Sequence, residues 1–129
     1  AKTYAKSIIP HWSDYEYVLN NFPEYNIIDP FLPVKEFVNE VVASDVILSS
    51  SLHGLIVADS YGVPNKWLEI QAGERFKFLD YYSTTDATNP EPITEINFAE
   101  CTVNNYLHDK TKLLKSFPFE RNSSINEGV

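Results

Sequence analysis

Three hydroxyls and an imidazole stand together in Ser49-Ser50-Ser51-Leu52-His53, followed at once by Gly54. An apolar run ending at Leu48 leads in, and a helix-like run, LIVADSYGVPN, leads out to Asn65. A strand that passes into a helix needs only a short polar turn, so this turn carries more chemistry than folding requires. At a helix start the unpaired N–H groups and the helix dipole favour an anion. Ser49, Ser50 and Ser51 add hydroxyl donors there, and Leu52 opens the helix. His53, in the first turn, is placed to protonate or hydrogen-bond a bound group. Gly54 has no side chain, so a ligand or a neighbouring strand can approach closely. The combination suits phosphate capture beside a general acid. A plainer reading stands next to it: serines before a helix cap it, and Gly54 serves helix–strand packing alone.

The elements that must hold this turn are legible on either side. KSIIPHW reads as a short strand stopped by Pro10, YNIIDP as a second stopped by Pro30, DVILSS as a third and NKWLEI as a fourth. Between them lie helical patterns. SDYEYVLNNF has Ser13 as N-cap and Glu16 as its capping-box partner, with Tyr17, Val18 and Phe22 at helical spacing. PVKEFVNEVVAS has Pro33 in its first turn and one apolar stripe of Val34, Phe37, Val38, Val41 and Val42. SLHGLIVADSYG ends at Gly62, with Pro64 following. Strands alternating with helices across short connections predict an α/β fold, a Rossmann-like parallel sheet with helices on both faces. Ligands of such sheets gather at the carboxyl ends of the strands, which is where the serine turn falls.

Beyond Ile70 the pattern weakens. GERFKFLDYYSTT reads as a loop into a short helix, and DATNPEPITEINF as a surface loop. Residues 103–117 read as a C-terminal helix and 121–129 as a frayed tail, so one domain is expected over 1–120.

Composition bounds the function. The chain has 129 residues, 43% of them hydrophobic, enough for a core in one domain. A formal charge of −8 argues against nucleic acid as partner, because phosphate backbones select basic surfaces. The single cysteine, Cys101, excludes an internal disulfide and fits a reducing compartment. His11, His53 and His108 lack metal-ligand spacing, so no metal is expected. No apolar run is long enough to span a bilayer, and no stretch reads as a signal peptide. A cytoplasmic protein is expected, working in solution or at the inner membrane surface. With no methionine anywhere, the chain reads as a piece of a longer protein.

The stretch SSSLHGLIVADSYGVPN resembles the C-terminal part of the polysaccharide pyruvyltransferase family, where an Arg/Ser-Leu-His-Gly turn precedes a helix ending in Gly-Val/Ile-Pro. FKFLDYY, from Phe76 to Tyr82, is also similar to the family, and the resemblance runs roughly from Ile8 to Tyr82. It implies one half of a two-domain, GT-B-type architecture, with the site in the cleft between halves and an N-terminal domain missing from this chain. It implies transfer of a pyruvyl group from phosphoenolpyruvate, as donor substrate and with no cofactor, to a sugar or lipid-linked oligosaccharide of a cell-surface polysaccharide, forming a ketal.

By the same resemblance His53 is the catalytic or phosphate-contacting imidazole. Many members carry arginine where this chain has Ser51, a departure that removes a bidentate cation. Lys77 is then the candidate cation and Arg75 a weaker one, each with a plain reading as a solvated surface charge. Asp80 and Tyr81 are candidates for sugar hydroxyls, or equally a helix cap and a packing aromatic. Glu69 is an acid/base or substrate-binding candidate, or a plain loop carboxylate. His11 either faces the cleft or packs under Trp12. Two other functions remain open from the residues. One is a nucleotide-sugar glycosyltransferase of the same architecture, with Glu69 on the ribose. The other is a non-catalytic carbohydrate-binding domain using Trp12, Trp67, Tyr81 and Tyr82 as stacking faces.

Overall fold

The computed structural model describes residues 3–107. Four strands, β1 (Tyr4–Ile9), β2 (Asn26–Ile27), β3 (Ser44–Ser49) and β4 (Asn65–Trp67), form one sheet in the order β2-β1-β3-β4. Every pairing is parallel, with Ile8 opposite both Ile27 and Leu48, and Ser49 opposite Trp67. Parallel neighbours need crossover connections. Here they run through α1 (Tyr15–Asn21), α2 (Val34–Val42) and α3 (Leu52–Ser60), and α4 (Phe76–Tyr82) follows β4. The expected α/β class and parallel sheet are both present.

Side chains alternate across the sheet, as the strand period of two requires. Ile9, Ile28, Ile47 and Trp67 point to one face, under Phe37 and Val41 of α2, Leu55–Ala58 of α3, and Tyr81 and Tyr82 of α4. Their chain neighbours Ile8, Ile27, Leu48 and Leu68 point to the other, against Val18 and Phe22. α2 is amphipathic, so only Phe37 and Val41 of its stripe are fully buried. α3 is apolar nearly all round, and Gly54 through Asp59 are buried because sheet, α2 and later segments enclose it.

The structure revises three sequence expectations. Ser13 does not cap α1. A 3-10 turn, Trp12–Asp14, intervenes, capped by the His11 side chain, and Glu16 closes no capping box. The stretch 86–98 is more than a surface loop. Ile93 bridges Leu68 in parallel, and Ile93, Ile96 and Phe98 pack on the second face of the sheet. An edge strand offers unpaired backbone groups, and Ile93 takes them: its N–H donates to Trp67 O, and its carbonyl accepts from Glu69 N, both at 2.9 Å. Finally, 103–107 is not helical. Thr102 bridges Asn65, Tyr106 bridges Thr85, and Asn105 N donates to Asp86 Oδ1, so the backbone is already committed to tertiary partners. The rest of the expected C-terminal helix, His108 and the tail lie outside the described residues.

Candidate active site at the β1/β3 switch point

β1 and β3 are neighbours, yet the chain leaves β1 toward β2 on one side and leaves β3 toward β4 on the other. Connections that diverge in this way open a crevice beyond the carboxyl ends of the two strands, the usual ligand position of open α/β sheets. A cavity of about 760 Å³ occupies that place. His11–Asp14 after β1, Ser50–His53 after β3 and Glu69–Glu74 after β4 line it, together with Phe31 and with Lys77 and Phe78 of α4.

The three serines of the turn do different things. Ser49 is fully buried. Its hydroxyl faces Ile9 O at 3.0 Å and Ser51 O at 2.7 Å and accepts from Ser51 N at 3.0 Å, so it shapes the turn and has no freedom to hold a ligand. Ser50 accepts from His11 N and donates to Asp14 Oδ2, both at 2.9 Å. Ser51 is the N-cap of α3, its Oγ accepting from Gly54 N. Leu52, the first helical residue, carries a backbone N–H for which the helix supplies no acceptor. Gly54 is not a point of ligand approach. A Cβ there would overlap Ser49 Oγ and lie 2.9 Å from Ile9 Cγ2, so its missing side chain serves the contact of α3 with the sheet.

His53 is exposed and lines the cavity, in the first turn of α3. Although its surface is open, the surrounding walls strip water from the ring and lower its pKa below the ordinary 6.5, and His11 and Lys77 add to the shift. That coupling places both groups within electrostatic reach of His53. Lys77 is the one lysine or arginine lining the cavity among the described residues. His11 also faces the cleft and rests against Trp12, with ring centroids 5.5 Å apart. The cleft-facing reading of His11 is the one the structure shows; its ring touches Trp12 but is exposed and not packed under it.

Asp14 and Gln71 are site residues that the sequence reading missed. Asp14 is buried, and its second oxygen accepts from Gln71 Nε2 at 2.7 Å, so one carboxylate ties together the ends of β1, β3 and β4. Trp12 and Phe31, 63% and 71% exposed, also line the cavity, and Phe31 was not anticipated. The signal that could have found Asp14, Phe31 and Gln71 is position, since each follows the carboxyl end of a strand.

Other expected residues stand elsewhere or are occupied. Glu69 borders the cavity, but Arg75 grips both its oxygens, at 2.8 and 2.7 Å, and that fork holds the Glu69 carboxyl below the usual range. A carboxylate kept ionised in this way is a poor proton donor, and Arg75 is engaged by Glu69 and does not line the cavity. Asp80 is exposed on α4, away from the cavity lining. Tyr81 is buried, its hydroxyl donating to Asp59 Oδ2 at 2.8 Å beneath α3. Trp67 and Tyr82 are likewise core residues, Trp67 stacked on Phe78 at 4.7 Å. Of the four aromatics considered for stacking on sugars, only Trp12 presents a face to solvent. Among the described residues no group of three or more His, Cys, Asp or Glu could hold a metal ion.

A parallel α/β domain with an imidazole, a lysine and a capped helix start beside its switch point has the architecture of the open α/β class, whose ligands usually sit in that crevice. The sequence model of the family described as polysaccharide pyruvyl transferase matches residues 1–69, more than half the chain, and the chain belongs to that family. The match takes in the Ser49–Gly54 turn and ends before α4. The chain is also similar to the succinoglycan biosynthesis protein ExoV of Rhizobium meliloti (strain 1021), with 29% identity over 96 residues, 67% of this chain. That alignment covers 29% of ExoV, so the chain spans under a third of that relative's length. No solved structure matches it.

Proposed function

We propose that this chain supplies the donor-binding half of an enzyme that transfers a pyruvyl group from phosphoenolpyruvate to a sugar of a polysaccharide or its lipid-linked precursor, forming a ketal. The observation that carries the reading is the placement of His53 and Lys77 around the start of α3 in an open cavity of about 760 Å³. A second domain, of the kind that completes a GT-B cleft, closes the other side and holds most acceptor contacts. The protein works in the cytoplasm, at the inner membrane surface where the acceptor is lipid-linked. No helix among the described residues is long and apolar enough to cross a membrane.

The chemistry follows from the groups present. Phosphoenolpyruvate brings a carboxylate and a phosphate, and the start of α3 with Lys77 offsets their charge. His53 is neutral at neutral pH, because burial lowers its pKa. The donor's charge reverses that balance and draws a proton onto the ring. His53 then delivers the proton to the terminal enol carbon, which becomes the methyl group. An acceptor hydroxyl bonds to the adjacent carbon, the C–O bond to phosphate breaks, and a second hydroxyl of the same sugar closes the ketal. The two hydroxyl protons leave to His53 and to the departing phosphate. No cofactor is required.

Changing His53→Ala in the intact protein should abolish transfer from phosphoenolpyruvate and leave the circular dichroism spectrum and melting temperature in place. Undiminished turnover would overturn the role. The exposed faces of Trp12 and Phe31 on the same cavity favour one other reading, a carbohydrate-binding domain without catalysis. Glycan binding with no release of phosphate from phosphoenolpyruvate would select it.

A further inference from the structure

The cavity asks one lysine to serve an anionic ligand in a wall that also carries the carboxylates of Asp14, Glu69 and Glu74. Further hydrogen-bond donors are therefore needed, and His11 is built to be one. Its Nδ1 accepts from the backbone N–H of Ser13 at 3.2 Å, and Ser13 Oγ stands 2.8 Å from the same nitrogen. A backbone N–H can only donate, so Nδ1 carries the lone pair and the proton of the neutral ring sits on Nε2. Nε2 has no protein partner among the described residues, and the ring lines the cavity. The residue is also held in register with the serine turn. His11 N donates to Ser50 Oγ at 2.9 Å and Ser50 N donates to Ile9 O at 3.0 Å, so His11 and the start of α3 are fastened side by side.

We infer that His11 is a second ligand-binding imidazole of this site, its Nε2–H donating to a carboxylate or phosphate oxygen of the donor that His53 and Lys77 also face. The inference rests on the proposed function, and it extends the donor site across the switch point from the β3 end to the β1 end.

The test is calorimetric titration of the intact protein, wild type, His11→Asn and His11→Ala, with phosphoenolpyruvate, inorganic phosphate and pyruvate in turn. Asparagine is a strong cap, so His11→Asn keeps an acceptor for Ser13 N–H while removing the distal nitrogen. Both variants should bind phosphoenolpyruvate about tenfold more weakly, the loss of one hydrogen bond to a charged group. The loss should recur with phosphate alone or with pyruvate alone, according to which end of the donor His11 holds. His11→Asn binding like wild type while His11→Ala binds weakly would show that the side chain only caps the turn, and would overturn the inference. Undiminished binding by both variants would overturn it as well. A wild-type protein that binds no phosphoenolpyruvate overturns the donor assignment itself, and the role of His11 with it.

Discussion

Ser50 Oγ donates to Asp14 Oδ2 at 2.9 Å across a separation of 36 residues. The bond joins the loop after β1 to the turn after β3, the two segments that bound the crevice. Asp14 is buried and receives Gln71 as well, so the carboxylate acts as a strut between three strand ends.

Replacing Asp14 with Ala should therefore cost about 1–3 kcal/mol, because the buried hydroxyl of Ser50 loses its acceptor. Asp14→Asn, which keeps one acceptor oxygen, should cost less. Urea denaturation of the two variants measures this, and equal stability of wild type and Asp14→Ala would remove the strut. Ligand binding should weaken in the same order, because Ser50 also fixes the backbone of His11.

The sheet was legible because its elements are local. Alternating apolar pairs such as Ile8-Ile9 and Ile47-Leu48 mark strands buried on both faces, and Gly62, at φ 72°, ends its helix as expected. The serine turn was legible for the same reason. Asp14 and Gln71 were not, because they are 57 residues apart in sequence and meet only once the sheet sets β3 between β1 and β4. For Tyr81 only the packing reading holds, because its partner, Asp59, is a carboxylate inside a mostly apolar helix, and nothing within FKFLDYY announces it. The signal lay in LIVADSYG, where an aspartate among apolar residues asks for buried donors.

Gly54→Ala sets two effects against each other. Alanine favours a helix over glycine by up to about 1 kcal/mol. Against this, the added methyl group would collide with Ser49 Oγ and Ile9 Cγ2. Ser49 cannot give way without breaking the bonds that shape the turn. Overpacking of this kind costs about 1–3 kcal/mol, so the net change should be a loss. Thermal unfolding reads it directly, and a raised melting temperature would mean that α3 has room to move.

Tyr81→Phe should destabilise in a pH-dependent way. Asp59 is buried and accepts from Asn65 Nδ2 at 2.7 Å, Tyr81 Oη at 2.8 Å and Asn104 N at 2.9 Å. Burial raises its pKa above 3.8, and these donors pull it back. A carboxyl raised in the folded state favours folding most when protonated, and that contribution fades as pH rises from the unfolded value through the folded one. Removing the tyrosine hydroxyl raises Asp59 further. The variant should lose about 1–3 kcal/mol at neutral pH and less near pH 4. A cost that stays constant across that range would show that Asp59 does not sense the change.

Cys101 should resist thiol reagents in the folded protein. Its Sγ donates to Ile47 O at 3.5 Å, and burial pushes the thiol up to about 11, so little thiolate exists at neutral pH. Modification by iodoacetamide should await unfolding by urea. Rapid labelling under native conditions would mean that the segment carrying Cys101 leaves the sheet.

Under the proposed function, His53 should link donor binding to protonation. Burial lowers its pKa, so stability linked to this ring is present above the ordinary 6.5 and falls as pH drops through that value toward the folded one. A bound anion acts in the opposite sense, because a negative charge beside the ring favours imidazolium. Phosphoenolpyruvate binding at neutral pH should therefore take up protons, and affinity should rise as pH falls from 8 toward 6. The donor's own phosphate also titrates in this range, so wild type must be compared with His53→Gln. Calorimetry in two buffers of different ionisation enthalpy counts the protons taken up by each. Wild type should take up more than the variant, and equal counts would mean that the donor sits too far from the ring for His53 to act as the acid.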